Sequence, residues 1–286
     1  VTTTSASDGD MRCVQLATRI QRHVEFVESF FPVGIRPEEG SQGWADLATG
    51  RSPEYPWNEI EILTLHSIAG LKMTVARDHL HSMARLLHPP VSQFGPVTMA
   101  RGALECCSRC YWLLDPTLSI HQRLSRAWAE QLQSAVEMNQ TVRRMVPDLE
   151  DLATEAKVNE QAEVMEIGPL TKIPSATSLA GDLLRPLTLS DEGGEGIYKY
   201  WSALAHGTIY ATLQRFREAG EPDSELSVRL EPHLEISTIE QLVLTIMRSH
   251  TSTVDRVMAY CGIQSSEWHR WVEDNERIMR PRFRTE

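Results

Sequence analysis

Arg101, Glu105 and Arg109 stand four residues apart, so on a helix they share one face, with Trp112 one turn further on. On an exposed helix such a row is an ordinary ion-pair ladder. Here both flanking stripes are apolar: Val97, Ala100, Leu104, Cys107, Tyr111 and Leu114 on one side, Met99, Ala103, Cys106, Cys110 and Leu113 on the other. The row is therefore expected to face inward or into a cleft, where buried charges must be paired. It serves either as a salt bridge tying helices together or as the base of a ligand or catalytic site.

A second group is Lys199, Ser202 and His206, within Tyr200-Trp-Ser-Ala-Leu-Ala-His-Gly207. Ser202 and His206 are four apart, and His206 falls in an otherwise apolar run. Such a histidine is either a satisfied core group or a general base or ligand-binding imidazole, with Ser202 to orient it. The third group is Asp78 with His81, one turn apart, where Asp78 could orient an imidazole or pair with Arg101 or Arg109. No His-Glu-x-x-His pattern occurs, and Cys107-x-x-Cys110 lacks a second cysteine pair, so the spacing calls for no metal and no cofactor.

The elements that must hold these residues read as helices. Apolar spacing predicts a helix over 11–31, ended by Pro32, Gly34 and Pro37, then a long ordered loop or lid over 32–57. A helix follows over 58–87 with Ile68, Leu71, Val75, Leu80, Ala84 and Leu87 on its core face. Next comes the central helix 97–114, and then a helix opened by a Ser119/Gln122 capping box and broken at Pro147. Asp148–Glu166, with seven acidic residues, reads as a solvated helix or arm. An irregular connection over 168–196 contains a short helical piece, Ser175–Leu184, and the acidic turn 191–196. A helix over 196–219, a short strand over 226–230 and a helix from a Ser237/Glu240 capping box to Cys261, stopped by Gly262, complete the bundle. No alternation of strands supports a parallel sheet. The fold class is all-α, an up-and-down helical bundle, divided into a disordered 1–10, a bundle over 11–262, and a short helix with a basic tail over 263–286.

The net charge of −11 opposes broad nucleic-acid binding, which needs clustered Lys and Arg. Five cysteines, three crowded at 106, 107 and 110, do not form a secreted disulfide framework; with no signal peptide and no membrane span, the reading is a cytoplasmic protein without a membrane partner.

The segments Arg101-Gly-Ala-Leu-Glu105, Tyr111-Trp-Leu-Leu-Asp-Pro116 and Tyr200-Trp-Ser-Ala-Leu-Ala-His-Gly207 resemble a group of actinobacterial helical proteins, themselves similar to the HEPN superfamily. The resemblance covers about residues 58–215. It implies a helical bundle, dimeric through the histidine-bearing helix, of a kind that includes metal-independent ribonucleases. Their motif is Arg, four to six residues, then His, with a polar residue after the Arg. This chain has Lys199 in place of that Arg, with six residues between it and His206, and Tyr200 after it. Lysine does not grip phosphate as arginine does, and only His206 carries over.

The functional expectation is a HEPN-like protein that binds a small ligand or a partner chain. Its centre would be a polar cluster of Arg101, Glu105, Arg109, Asp78 and His206. The alternative is an enzyme with His206 as general base, either a divergent ribonuclease or a small-molecule enzyme pairing His206 with Glu105 or Asp78. A third reading is a structural or regulatory interaction module. A site needs a cavity beside the cluster, whereas an interaction module needs an exposed apolar patch.

Overall fold

The computed structural model describes residues 8–31, 36–145, 155–167, 169–188, 190, 192–213, 216–218, 230–232 and 235–279. These form eleven α-helices: α1 (Asp8–Phe30), α2 (Gln42–Gly50), α3 (Glu59–Leu86), α4 (Gly95–Leu113), α5 (Ile120–Met145), α6 (Glu155–Val164), α7 (Ala176–Leu184), α8 (Gly193–Ala205), α9 (Ile209–Leu213), α10 (Ile236–Cys261) and α11 (Ser266–Met279). One antiparallel ribbon pairs β1 (Phe216–Glu218) with β2 (Leu230–Pro232), Arg217 opposite Glu231. The chain is an all-α bundle.

Local chemistry explains the long helices. Asn58 caps α3: its side chain accepts from the Ile60 N–H at 2.8 Å, while Glu61 accepts from the Asn58 N–H at 2.8 Å. Pro96 opens α4, where a missing N–H costs nothing. The Ser119/Gln122 box is in place at the start of α5, with both reciprocal bonds made. Gly262, at φ 76°, ends α10.

The core divides into two apolar halves along the same helices. One half takes Leu16–Val24 of α1, Ala76–Leu87 of α3, Val97–Cys107 of α4 and Ile239–Met247 of α10, with α7 and α8. The other takes Val27 and Phe31, Ile62–Met73, Cys110–Leu114 and Val254–Cys261, with α5, α6 and α11. The order of these segments makes α1, α4 and α10 run in one direction and α3 against them. Between the halves lies a buried polar layer. In it the Thr253 hydroxyl donates to the carbonyls of Ser249 (2.9 Å) and Cys107 (3.4 Å), and His23 meets His250.

Several expectations are corrected. Asp8–Asp10 belong to α1, and residues 1–7 lie outside those described. The stretch 32–57 contains α2, capped by Ser41, because that hydroxyl satisfies the Trp44 N–H. On α3 the apolar stripe that packs is Ile62, Leu65, Ala69, Met73, Ala76 and Leu80; Leu71 and Val75 point outward. Both stripes have helical spacing, and spacing alone does not choose between them. The acidic helix α6 is not fully solvated, since Val158 and Ala162 are buried against the core. The helix expected over 196–219 stops at Ala205. α10 starts at Ile236 with Glu235 at the cap position, so Ser237 lies inside the first turn and forms no box with Glu240, which pairs with Arg12. The C-terminal helix α11 packs on the bundle, with Trp268 buried in the second core half. The strand expected over 226–230 lies outside the described residues except at Leu230, and so do Pro147 and the basic tail.

Candidate functional site

The row on α4 splits between two neighbours. Arg101 and Glu105 pair at 2.8 Å and turn toward α8, where the Tyr198 hydroxyl donates to Glu105 Oε1 at 2.6 Å. The Arg101 guanidinium lies over the Tyr198 ring, 5.8 Å from its centre, and both charged side chains remain part-exposed, at 23% and 31%. Burial, with the Glu105 carboxylate beside it, pushes the Tyr198 phenol up, so it stays a proton donor. Arg109 turns instead toward α5, its Nη1 donating to both oxygens of buried Glu130 at 2.9 Å. Lys72 of α3 reaches the same carboxylate at 3.0 Å. Cys106 stands beside this group, its thiol pushed up by burial and so held in the unreactive protonated form.

The remaining candidates stand apart from the row. Trp112 is covered by the Arg126 guanidinium at 4.6 Å. His206 is not inside a helix: it caps the end of α8, exposed, and Gly207 follows at φ 63°, a left-handed turn that glycine adopts without a Cβ clash. Ser202 lends only its carbonyl to the His206 N–H, at 3.0 Å. Lys199 is exposed and paired with Glu195 at 3.0 Å. Asp78 is exposed on the outer side of α3, and His81 lies 3.7 Å from Glu28 of α1. The expected meeting of the row with His206 and Asp78 therefore does not occur. The break after Ala205 carries the imidazole out of the bundle, and Asp78 falls on the side of α3 away from α4. His79, between Asp78 and Leu80, is the residue that meets α4, and its ring fills the space above Gly102, where an added Cβ would come within 2.8 Å.

Two polar clusters assembled from distant segments are deeper than the row. In one, Arg123 (0% exposed) grips Asp46 (2%) through Nη2 at 2.7 Å and Nε at 3.0 Å. Tyr260 donates to Asp46 Oδ2 at 2.7 Å, and His66 Nε2 lies 2.9 Å from the Tyr260 oxygen. In the other, the Trp271 indole N–H donates to His23 Nδ1 at 3.3 Å, so the proton of a neutral His23 sits on Nε2 and is given to His250 Nδ1 at 2.9 Å. Burial lowers His23 and His66 to about 4 and puts His250 well below its ordinary value, so all three rings are neutral at pH 7. The sequence carried one signal for His23 and His250: each lies in phase with the apolar stripe of its helix. Asp46 and Arg123 carried none.

Two clefts are lined by residues away from the row. One, of about 20 Å³, lies among Val27, Phe31, Met73, Arg77 and Val257. The other, of about 80 Å³, lies between α1, α10 and α11, with His23 and Trp271 on its wall. Among the described residues, no three of His, Cys, Asp and Glu converge as a metal set, and no helix is long and apolar enough to cross a membrane.

No protein-family model, no curated protein and no solved structure matches this chain. Its functional reading rests on its own geometry.

Proposed function

We propose that the protein is a HEPN-like helical interaction module that pairs with a second copy of itself through the outer face of α3. The HEPN kinship is supported by the segments around Arg101–Glu105 and Tyr200–Gly207. The observation that carries the pairing is an uncharged apolar stripe on that face: Ile60 (68% exposed), Leu63, Leu71 (62%) and Val75. Between Ile62 and Ala76 the one charged residue is Lys72, which is turned to Glu130.

The stripe is ready to be dried. The hydroxyls beside it, Thr64, Ser67 and Thr74, donate to the carbonyls of Ile60, Leu63 and Gly70 within their own helix, at 2.8, 2.8 and 3.0 Å. Covering them leaves no donor stranded. A second copy is the partner that fits. On a chain of net charge −11 most faces repel their own kind, and this one does not. An antiparallel two-fold about Ser67 sets Leu63 of one copy against Leu71 of the other. The enzyme reading lacks support, because His206 has no carboxylate partner among the described residues and lines neither of the two clefts described.

Sedimentation velocity over micromolar to hundred-micromolar concentrations tests the pairing. The wild type is expected to form dimers. Leu71→Glu removes about 2 kcal/mol of apolar burial from each copy and puts a carboxylate in the dry contact. By placing that carboxylate against Leu63 of the other copy, it should raise the dimer dissociation constant at least about 100-fold with an unchanged melting temperature. A wild type that stays monomeric throughout, or a Leu71→Glu protein that dimerises as well, overturns the reading.

A further inference from the structure

We propose that the cleft between α1, α10 and α11 is a binding site for a small monocarboxylate, held by the Arg248 guanidinium and the hydroxyls of Thr251 and Ser252. This stands independently of the pairing through α3. Thr251 and Ser252 follow Arg248 by three and four positions on α10, and all three line the cleft.

The three side chains lack protein partners among the described residues. On either side of the hydroxyl pair, Ser249 and Thr253 return their hydroxyls to carbonyls of α10. Among the described residues, Thr251 and Ser252 make no side-chain hydrogen bond. Arg248 forms no ion pair among them, and its buried Nε–H meets no acceptor. Three donors, one of them a permanent cation, thus line one space without a protein acceptor among the described residues. Donors without acceptors select an oxyanion.

The other walls narrow the choice. His23 is not available as a base, because both ring nitrogens are engaged, by Trp271 and by His250. Asp255 also lines the cleft, where its carboxylate accepts from the Trp268 indole. A fixed negative charge there disfavours a doubly charged phosphate against a singly charged carboxylate. Leu187, Val272 and the ring of Trp271 supply apolar wall for a short carbon body. The volume of about 80 Å³ corresponds to about half a dozen water-sized positions, the size of a short-chain acid.

Thermal-shift and tryptophan-fluorescence titrations of the full chain with acetate, lactate and inorganic phosphate, at constant ionic strength, test the assignment. Lactate or acetate is expected to give a saturable rise in melting temperature that phosphate does not match. Arg248→Gln should abolish it, and Ser252→Ala should weaken it about fivefold, the loss of one hydrogen bond. Ser252→Leu, which fills the cleft, should abolish binding while keeping the fold. The proposal is overturned by no saturable response to either carboxylate, by an equal response in Arg248→Gln or Ser252→Leu, or by tighter binding of phosphate.

Discussion

The charged row on α4 and the charged pair under α2 use the same residue types to opposite ends. Arg101 and Glu105 come from one helix, one turn apart, and keep about a quarter of their surface in water. Asp46 and Arg123 come from α2 and α5, seventy-seven residues apart, and keep none to speak of. The inner pair is also fully engaged. Asp46 accepts from Arg123, Gln42 and Tyr260, and the remaining Arg123 nitrogen donates to the carbonyls of Asp115 and Leu118. In the outer pair the buried Nε–H of Arg101 has no acceptor among the described residues. Spacing on a helix shows which charges can meet locally. It does not show which will be sealed, because that depends on what the rest of the chain brings over them.

The largest effect should come from breaking the sealed pair. Arg123→Met leaves the Asp46 carboxylate buried with only Gln42 and Tyr260 to face it, and the expected loss is about 3–5 kcal/mol in urea unfolding. Arg101→Met, on the outer pair, should cost at most about 1 kcal/mol. Equal losses from the two would end the distinction between them.

The same distinction explains what the sequence could reveal. The stripes of α4 and α10 were legible because apolar residues with helical spacing surround them, and Val97, Leu104, Val243, Ile246 and Val254 are all buried as expected. The Ser119/Gln122 box and the stop at Gly262 were legible because capping is chemistry between near neighbours. The buried face of α3 was not. Leu71 and Val75 have the same spacing as Leu65, Ala69 and Met73, and only the position of α4 and α1 decides which stripe is covered. The end of α8 was missed because nothing in Tyr200–Gly207 breaks a helix except its last glycine. With the break went the expectation that His206 lies inside. The Asp46–Arg123 pair had no local signature at all.

Acid should sharpen the contrast between interior and rim. His23 and His66 are held at about 4, and His250 lower, by burial. In the unfolded chain each titrates near 6.5. The unfolded state therefore binds protons first, and stability falls as pH drops from about 6.5 toward 4. At pH 5 the expected loss is about 2 kcal/mol per buried histidine, measured by urea unfolding at pH 7.5, 6 and 5. His250→Asn should flatten that slope. A slope unchanged by the substitution would place the responsible groups elsewhere.

The smallest effects belong to the rim, and they test the proposed pairing. Tyr198→Phe removes one hydrogen bond to Glu105, a carboxylate that water can reach, and should cost about 1 kcal/mol. His206→Ala touches an exposed turn and should change stability by less than about 0.5 kcal/mol. Resemblance to the HEPN bundles implies pairing through the histidine-bearing helix, whereas the apolar stripe favours α3. Sedimentation of His206→Ala beside Leu71→Glu separates the two. A dimer that survives the first substitution and not the second keeps the contact on α3. The reverse result would move it to α8, and the exposed imidazole would then owe its position to the second copy rather than to the fold.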